Sequence, residues 1–294
     1  MSFELHPIIL IIILIISALY LIYIIAFTFG LYNLKEKFFT FNNKNNVKAS
    51  VLIAARNEEK NIGNLLKSLY NQTFSKELFE VIIIDDHSND GTISVIENFL
   101  KEHKDINLKF FKAEKEGKKQ AISQALHLAE NELILVTDAD CFLKETWIES
   151  IVNFYKEENC KMILAPVLLS PAETFFEKIQ VLEHLSLIGS TAGSAAIGFP
   201  VMCNGANMAY ERLAALEVEK QRKDFNIPSG DDMFLMEYFI KNYGAENVKF
   251  LLSKNAIVKT SLNFSVKEED GFQKRNLIPV GRFYQLLSLF YFSI

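Results

Sequence analysis

From Pro7 to Leu34 the chain carries no Asp, Glu, Lys, Arg or His, and Ile8 to Ile16 consists of Ile and Leu alone. A run of this length exceeds the ~20 residues that cross ~30 Å of hydrocarbon as a helix, so residues 1–34 are expected to form a transmembrane anchor. A cleaved signal peptide fits less well. Met1 to His6 contains no Lys or Arg, and the apolar run outlasts the ~7–15 residues of a signal h-region. Lys35, Lys37, Lys44 and Lys48 follow the span, and nothing basic but His6 precedes it. The positive-inside rule therefore predicts one pass through the cell membrane, with the body of the protein cytoplasmic. Residues 35–47, rich in Asn and Lys from Phe39 to Asn46, read as a linker.

Beyond the linker, short apolar runs alternate with helix-period segments. Ala49–Ala54 and Val81–Ile84 are short apolar runs of buried-strand type, and Leu108–Phe111 and Leu133–Val136 read as a third and a fourth strand. Between them lie Ile62, Leu65, Leu66 and Leu69, then Val95, Ile96, Phe99 and Leu100, and then the segment Lys119–Ala129, all at helical spacing. This order predicts an α/β domain over residues 48–262, a mostly parallel sheet with flanking helices. The second half is less regular. A strand is expected over Met162–Val167, an amphipathic helix over Thr174–Leu187, and a small-residue loop over Gly189–Gly198. The apolar stretch Phe283–Ile294 is too short to span a bilayer, so residues 263–294 read as a membrane-proximal C-terminal segment or the stump of a truncated span.

Composition narrows the function. A net charge of -5 and no basic stripe argue against a nucleic-acid partner. Cys141, Cys160 and Cys203 form no CxxC and leave one thiol unpaired in any disulfide scheme, which fits a reducing compartment and argues against a zinc site. The sequons at Asn71 and Asn263 are then chance occurrences.

Open α/β sheets bind ligands beyond the carboxyl ends of their strands, and three of the expected strands end in polar clusters: Ala55-Arg56-Asn57-Glu58, Asp85-Asp86-His87-Ser88 and Thr137-Asp138-Ala139-Asp140. Each alone is an ordinary cap or turn; together they mark one edge. Asp138 and Asp140 are hard oxygen donors two positions apart, suited to Mg²⁺ or Mn²⁺ with sites left open for phosphate oxygens. One carboxylate of the Asp85-Asp86 turn could accept a hydrogen bond from a base N–H, while Asp90-Gly91-Thr92 reads in part as cap and turn. Gly117-Lys118-Lys119 puts two cations at a helix start, against the helix dipole unless an anion sits there.

In this order and spacing, these segments resemble the family 2 glycosyltransferases, inverting enzymes of GT-A fold, from about Lys48 to Lys259. The resemblance implies a nucleoside diphosphate sugar donor bound by Ala55, Arg56, Glu58, Asp85, Asp86, Lys118 and Asp138, and a divalent metal on Asp138 and Asp140. It also implies an acceptor-side loop at Cys203–Ala209, with Gly205 and Asn207, and a general base at Asp232 in Gly230-Asp231-Asp232. Asp231 is placed on the acceptor side, where it could raise the pKa of the pair by repulsion. The family's Gln-x-x-Arg-Trp motif is matched only by Gln273 and Arg275 at altered spacing, without the Trp.

The function expected is transfer of a sugar to a lipid-linked or polysaccharide acceptor at the cytoplasmic membrane face. A sugar-1-phosphate nucleotidyltransferase is the alternative enzyme, though Ala54–Glu58 lacks the glycines of its phosphate loop. A noncatalytic nucleotide-sugar-binding membrane protein is the third reading.

Overall fold

The computed structural model describes residues 7–39, 47–223 and 230–261. The C-terminal segment 263–294, with Gln273, Arg275 and Phe283–Ile294, and the linker core 40–46 lie outside these residues. The first apolar run is one helix, α1 (Pro7–Asn33), with nearly every side chain exposed. At 1.5 Å per residue it is ~40 Å long, enough to cross a membrane. The expected linker is docked at its start: the Lys37 amide donates to the Leu252 carbonyl (2.8 Å), and its ammonium bridges Glu157 (2.5 Å) and Glu158 (3.0 Å).

The alternating segments form the elements expected of them, in the order β1 (Ala49–Ala55), α2 (Ile62–Tyr70), β2 (Phe79–Asp85), α3 (Thr92–Glu102), β3 (Leu108–Lys112), α4 (Lys118–Leu128) and β4 (Leu133–Val136). After β5 (Cys141–Leu143) and α5 (Trp147–Glu158) come β6 (Met162–Leu164), β7 (Val167–Leu169), α6 (Phe175–Ala196), β8 (Met208–Glu211), α7 (Arg212–Gln221), α8 (Asp231–Tyr243), β9 (Val248–Phe250) and β10 (Val258–Thr260). The main sheet runs β3-β2-β1-β4-β8-β6-β9, and a small sheet runs β5-β10-β7.

The main sheet is mixed, with parallel pairings and one reversed strand. β1, β2, β3 and β4 are parallel, but β8 lies antiparallel to both β4 and β6. The reversal has a functional consequence: Met208 pairs with Val136, so the loop before β8 emerges at the edge where β1, β2 and β4 end. Two apolar cores cover the faces. One packs α2, α3 and α5 under Val51, Ile53, Val81 and Ile83; the other packs α4, α7 and α8 over Leu52, Ile82, Ile84 and Val136. That both faces are covered explains why β1 and β2 read as continuous apolar runs.

Two expectations are corrected. Met162–Val167 is not one strand, because Ala165-Pro166 separates β6 from β7 and the two join different sheets. Gly189–Gly198 is not a loop but largely the last turns of α6. The helix starts from a capping box in which the Thr174 hydroxyl accepts from the Glu177 amide (3.3 Å) and Glu177 accepts from the Thr174 amide (2.8 Å). Its small residues serve close approach to α1. A Cβ on Gly30 would collide with the Gly193 carbonyl, and one on Gly193 with the Phe27 carbonyl.

Glu80 is a buried carboxylate of β2, away from the strand end. It accepts from the Ser50 hydroxyl (2.6 Å) and the Glu130 amide (2.9 Å) and pairs with Lys109 (2.8 Å). Burial pushes its pKa up, but these donors outweigh burial and hold it below the ordinary carboxylate range. A depressed carboxylate stabilises the fold above its unfolded pKa and loses that contribution as pH falls through the folded value. Glu80→Gln is therefore expected to cost about 2 kcal/mol at neutral pH. Thermal unfolding of parent and variant should show a gap that narrows in acid.

Candidate active site

The ends of β1 and β2 are knitted into one platform. Asn57 and His87 adopt left-handed backbone conformations, which turn the chain sharply out of each strand. The Asn57 amide donates to Ser88 Oγ (3.0 Å), and the Asn89 amide donates back to Asn57 Oδ1 (2.9 Å). Asp90 accepts from the amides of Thr92 (3.0 Å) and Glu59 (3.2 Å), and the Glu58 amide donates to Thr92 Oγ1 (2.8 Å). Asp90 and Thr92 thus fix the loop, in line with their reading as cap and turn. Ala55 is buried and its carbonyl accepts from the Asp86 amide (2.7 Å), so it shapes the floor through its backbone.

Asp85 and Asp86 are both buried. Asp85 Oδ2 accepts from the Ser88 amide (3.3 Å), and its Oδ1 has no hydrogen-bond partner among the described residues. Asp86 Oδ1 accepts from the Gly117 amide (2.9 Å), and its Oδ2 lies 3.7 Å from Arg56, which also pairs with Glu116 (2.7 Å). Gly117 has φ of +115°, a conformation open to glycine at little cost. It lets the chain pass Asp86 and begin α4 with Lys118 aimed along the strand ends.

Lys118 Nζ lies 2.5 Å from Asp138 Oδ1. Desolvation works against its charge, yet Asp138, with Asp232 adding, raises its pKa above the ordinary lysine value. Asp140 Oδ2 accepts from the Thr260 hydroxyl (2.9 Å), and Glu58 Oε2 accepts from Asn61 (2.8 Å). Burial, then Asp138, pushes the Asp140 carboxyl up; burial, then Asp140, Asp138 and Asp90, pushes Glu58 up. Glu58, Asp138 and Asp140 therefore crowd like charges into one partly buried space. Among the described residues, no three His, Cys, Asp or Glu side chains converge into a closed metal cage. Mg²⁺ does not need one, since it usually binds through one or two carboxylates plus substrate phosphates. An all-oxygen pair such as Asp138 and Asp140 suits Mg²⁺ or Mn²⁺ in that way, with Lys118 as the counter-cation in this structure. The adjacent Cys141 thiol is pushed up to about 12 by burial and the two aspartates, which leaves it inert.

Asp232 lies in the first turn of α8. Its Oδ2 accepts from the Gly205 amide (3.0 Å) and its Oδ1 from the Met233 amide (3.0 Å). Asp232 thereby pins the loop before β8. Asp231 pairs with Arg222 and lies 3.7 Å from Lys119, so cations compensate the charge expected to act on its neighbour. Asn207 is not on an acceptor surface. It is 1% exposed, takes the Trp147 indole N–H on Oδ1 (3.0 Å) and donates to the Pro166 and Ala256 carbonyls (2.8 Å each). A fully buried and fully bonded amide positions the loop, and Gly205 is left as its cleft-side member. Met208 and Ala209 belong to β8 and are not part of the loop. Sequence reasoning misses Thr260, Asn61 and Arg222, which lie outside every motif and whose partners become visible only in the fold.

A strand-end platform, an acidic cluster beside a helix-borne lysine, and a carboxylate in the first turn of α8 are the polar features of this α/β fold. Residues 50–218, more than half of the chain, match the family described as "Glycosyl transferase family 2", and the chain belongs to that family. It is 32% identical over 136 residues to a beta-monoglucosyldiacylglycerol synthase of Nostoc sp., a match covering 46% of this chain and 29% of that enzyme. It is 24% identical over 243 residues to the poly(ribitol-phosphate) beta-N-acetylglucosaminyltransferase TarP of Staphylococcus aureus, covering 80% of this chain and 67% of TarP. The chain thus spans under a third of the first relative's length. Among solved structures, the mannosyltransferase PcManGT of Pyrobaculum calidifontis, in complex with GDP-Man and Mn²⁺, is similar with a TM-score of 0.60 at 16% identity. That match covers 86% of this chain and 68% of PcManGT. S. aureus TarS 1-349 in complex with UDP-GlcNAc is similar with a TM-score of 0.54 at 21% identity, covering 82% and 65%. These likenesses show the fold.

Proposed function

We propose that this chain is an inverting glycosyltransferase that moves a sugar from a nucleoside diphosphate donor to a lipid-linked or polysaccharide acceptor at the cytoplasmic membrane face, with α1 as a single-pass anchor. The observation that carries the reading is Lys118, in contact with Asp138 and in the field of Asp232. On this view Asp138 would serve the donor and Asp232 the acceptor, with Lys118 influenced by both. In this reading Asp85, Asp86 and the backbone of Ala55 shape the nucleoside pocket, and Arg56 lies at its rim. Asp138 and Asp140, with Glu58 beside them, would hold the cation, which would neutralise the departing diphosphate. Lys118, released from Asp138, would reach the phosphate oxygens. Asp232 would take the proton from the acceptor hydroxyl as the new glycosidic bond forms opposite the leaving group.

The test is a screen of UDP- and GDP-sugars with the purified full chain and polyprenyl-linked, diacylglycerol and polysaccharide acceptors. Sugar transfer with release of nucleoside diphosphate is expected; release of pyrophosphate from a nucleoside triphosphate and a sugar phosphate would replace this reading with the nucleotidyltransferase. The right donor at about a hundredfold its Kd should also stabilise the fold by ~2.7 kcal/mol. This stabilisation is read as a rise in melting temperature with Mn²⁺ that EDTA removes.

A further inference from the structure

Helix α6 carries an outward stripe at i, i+4, i+7, i+11, i+14 and i+18 from Phe175: Phe175, Ile179, Leu182, Ser186, Gly189 and Gly193. Its two ends meet different surroundings. At the C-terminal end the stripe lies against α1, with Gly193 facing Phe27 and Gly189 within 3.5 Å of the Leu31 side chain after addition of a Cβ. At the N-terminal end it is bare. Phe175 and Phe176 are 73% exposed and Leu182 68%, with Ile179 and Leu185 exposed beside them. The opposite face is the one that packs on the domain: His184 Nε2 lies 2.9 Å from the Val167 carbonyl oxygen, and Ile188 joins the core over β4 and β8. Exposed Lys178 and Glu183 flank the stripe without interrupting it.

Folded soluble domains rarely leave contiguous aromatic and aliphatic patches in water. This patch continues the surface that the membrane-length helix covers. We infer that the N-terminal half of α6 beds its Phe175, Ile179 and Leu182 face into the bilayer interface, so that the catalytic domain touches lipid at a second place besides α1. Lipid contact by α6 rests on the reading of α1 as a membrane anchor. The occupant is a lipid surface, since the uncovered stripe and the covered one belong to one helix face and α1 is the element that covers the latter. The consequence reaches the site: α6 packs on β7, β7 pairs with β10, and Thr260 of β10 holds Asp140. Bilayer contact and the acidic cluster are thus only two strands apart.

The experiment places single tryptophans in the full chain reconstituted in phosphatidylcholine–phosphatidylglycerol vesicles, with the parent's buried Trp147 signal subtracted. Leu182→Trp probes α6, Ile22→Trp probes α1, and Lys101→Trp, on exposed α3, probes water. Lipids brominated along the acyl chain act as depth-resolved quenchers. An interfacial helix buries its apolar face ~5–10 Å into the headgroup and acyl boundary. Leu182→Trp is therefore expected to emit at shorter wavelength than Lys101→Trp and to lose most of its emission to the shallow bromolipid, less to the deep one. Ile22→Trp should be quenched most by the deep one. If Ile22→Trp is quenched while Leu182→Trp behaves like Lys101→Trp, α6 faces water; the inference is overturned and the anchor stands. A blue-shifted but unquenched Leu182→Trp means protein covers the stripe, either a second copy or residues 262–294, and overturns it equally. Absence of quenching at both sites sinks the anchor reading and this one with it.

Discussion

Asp140→Ala is expected to lower sugar transfer by about a thousandfold or more, because a cation that neutralises a leaving diphosphate contributes several kcal/mol to the barrier. It should do so without unfolding the protein. Asp140 shares a partly buried space with Asp138 and Glu58, and burial and like charge both push its carboxyl up. An acid whose folded pKa is raised binds its proton more tightly in the folded state. Its ionisation therefore removes stability as pH rises through the unfolded value, and at neutral pH the cluster works against the fold. Alanine gives up the 2.9 Å hydrogen bond from Thr260 and a weak 3.8 Å contact from the Cys141 thiol; the Thr260 hydroxyl stands at a partly exposed position where water can take over as acceptor. The variant should thus melt at or slightly above the parent's temperature in EDTA, and it should lack the rise that Mn²⁺ gives the parent. That combination separates a missing cation site from a damaged fold. Undiminished transfer in Asp140→Ala would sink the assignment of Asp140.

The first half of the fold was legible because β1, β2 and β4 are buried on both faces and the helices beside them on one, so period and apolarity carry the information. Ala49–Ala55, Phe79–Asp85 and Leu133–Val136 fall where the apolar runs fall. The second half hides its strands. Met208–Glu211 is four residues long with a terminal charge, and its antiparallel pairing to β4 depends on a partner more than 70 residues earlier. Pro166 sits at the break between β6 and β7, a cue inside an otherwise continuous apolar run. Gly189 and Gly193 read as loop residues because glycine weakens isolated helices; here close helix–helix approach requires glycine at Gly193. At the site, the carboxylates were visible as strand-end clusters, whereas their supports were not. Thr260 reaches Asp140 across 120 residues, and Asn207 differs from a surface amide only through Trp147, Pro166 and Ala256.

Asp232→Asn is expected to reduce transfer by ~10²–10⁴-fold, the range a positioned general base supplies, with donor affinity nearly unchanged. The choice of asparagine decides the interpretation. In the parent, Oδ2 takes the Gly205 amide and Oδ1 takes the Met233 amide, so the residue both holds the loop and faces the cleft. An amide oxygen can keep one of these bonds, and an amide NH₂ cannot accept a proton. Asp232→Ala would remove loop anchoring and base together. Comparing the two apportions the roles: a base predicts that both variants lose kcat to a similar depth while only alanine also raises KM for the acceptor. A purely positioning residue predicts that asparagine restores most of the activity. Asp231 offers no substitute, since Arg222 and Lys119 hold it on the far side of the helix start. Measuring single-turnover transfer and donor binding for both variants reads the split directly. An asparagine variant that transfers at the parent's rate moves the proton acceptor elsewhere and leaves Asp232 as the pin of the Gly205 loop.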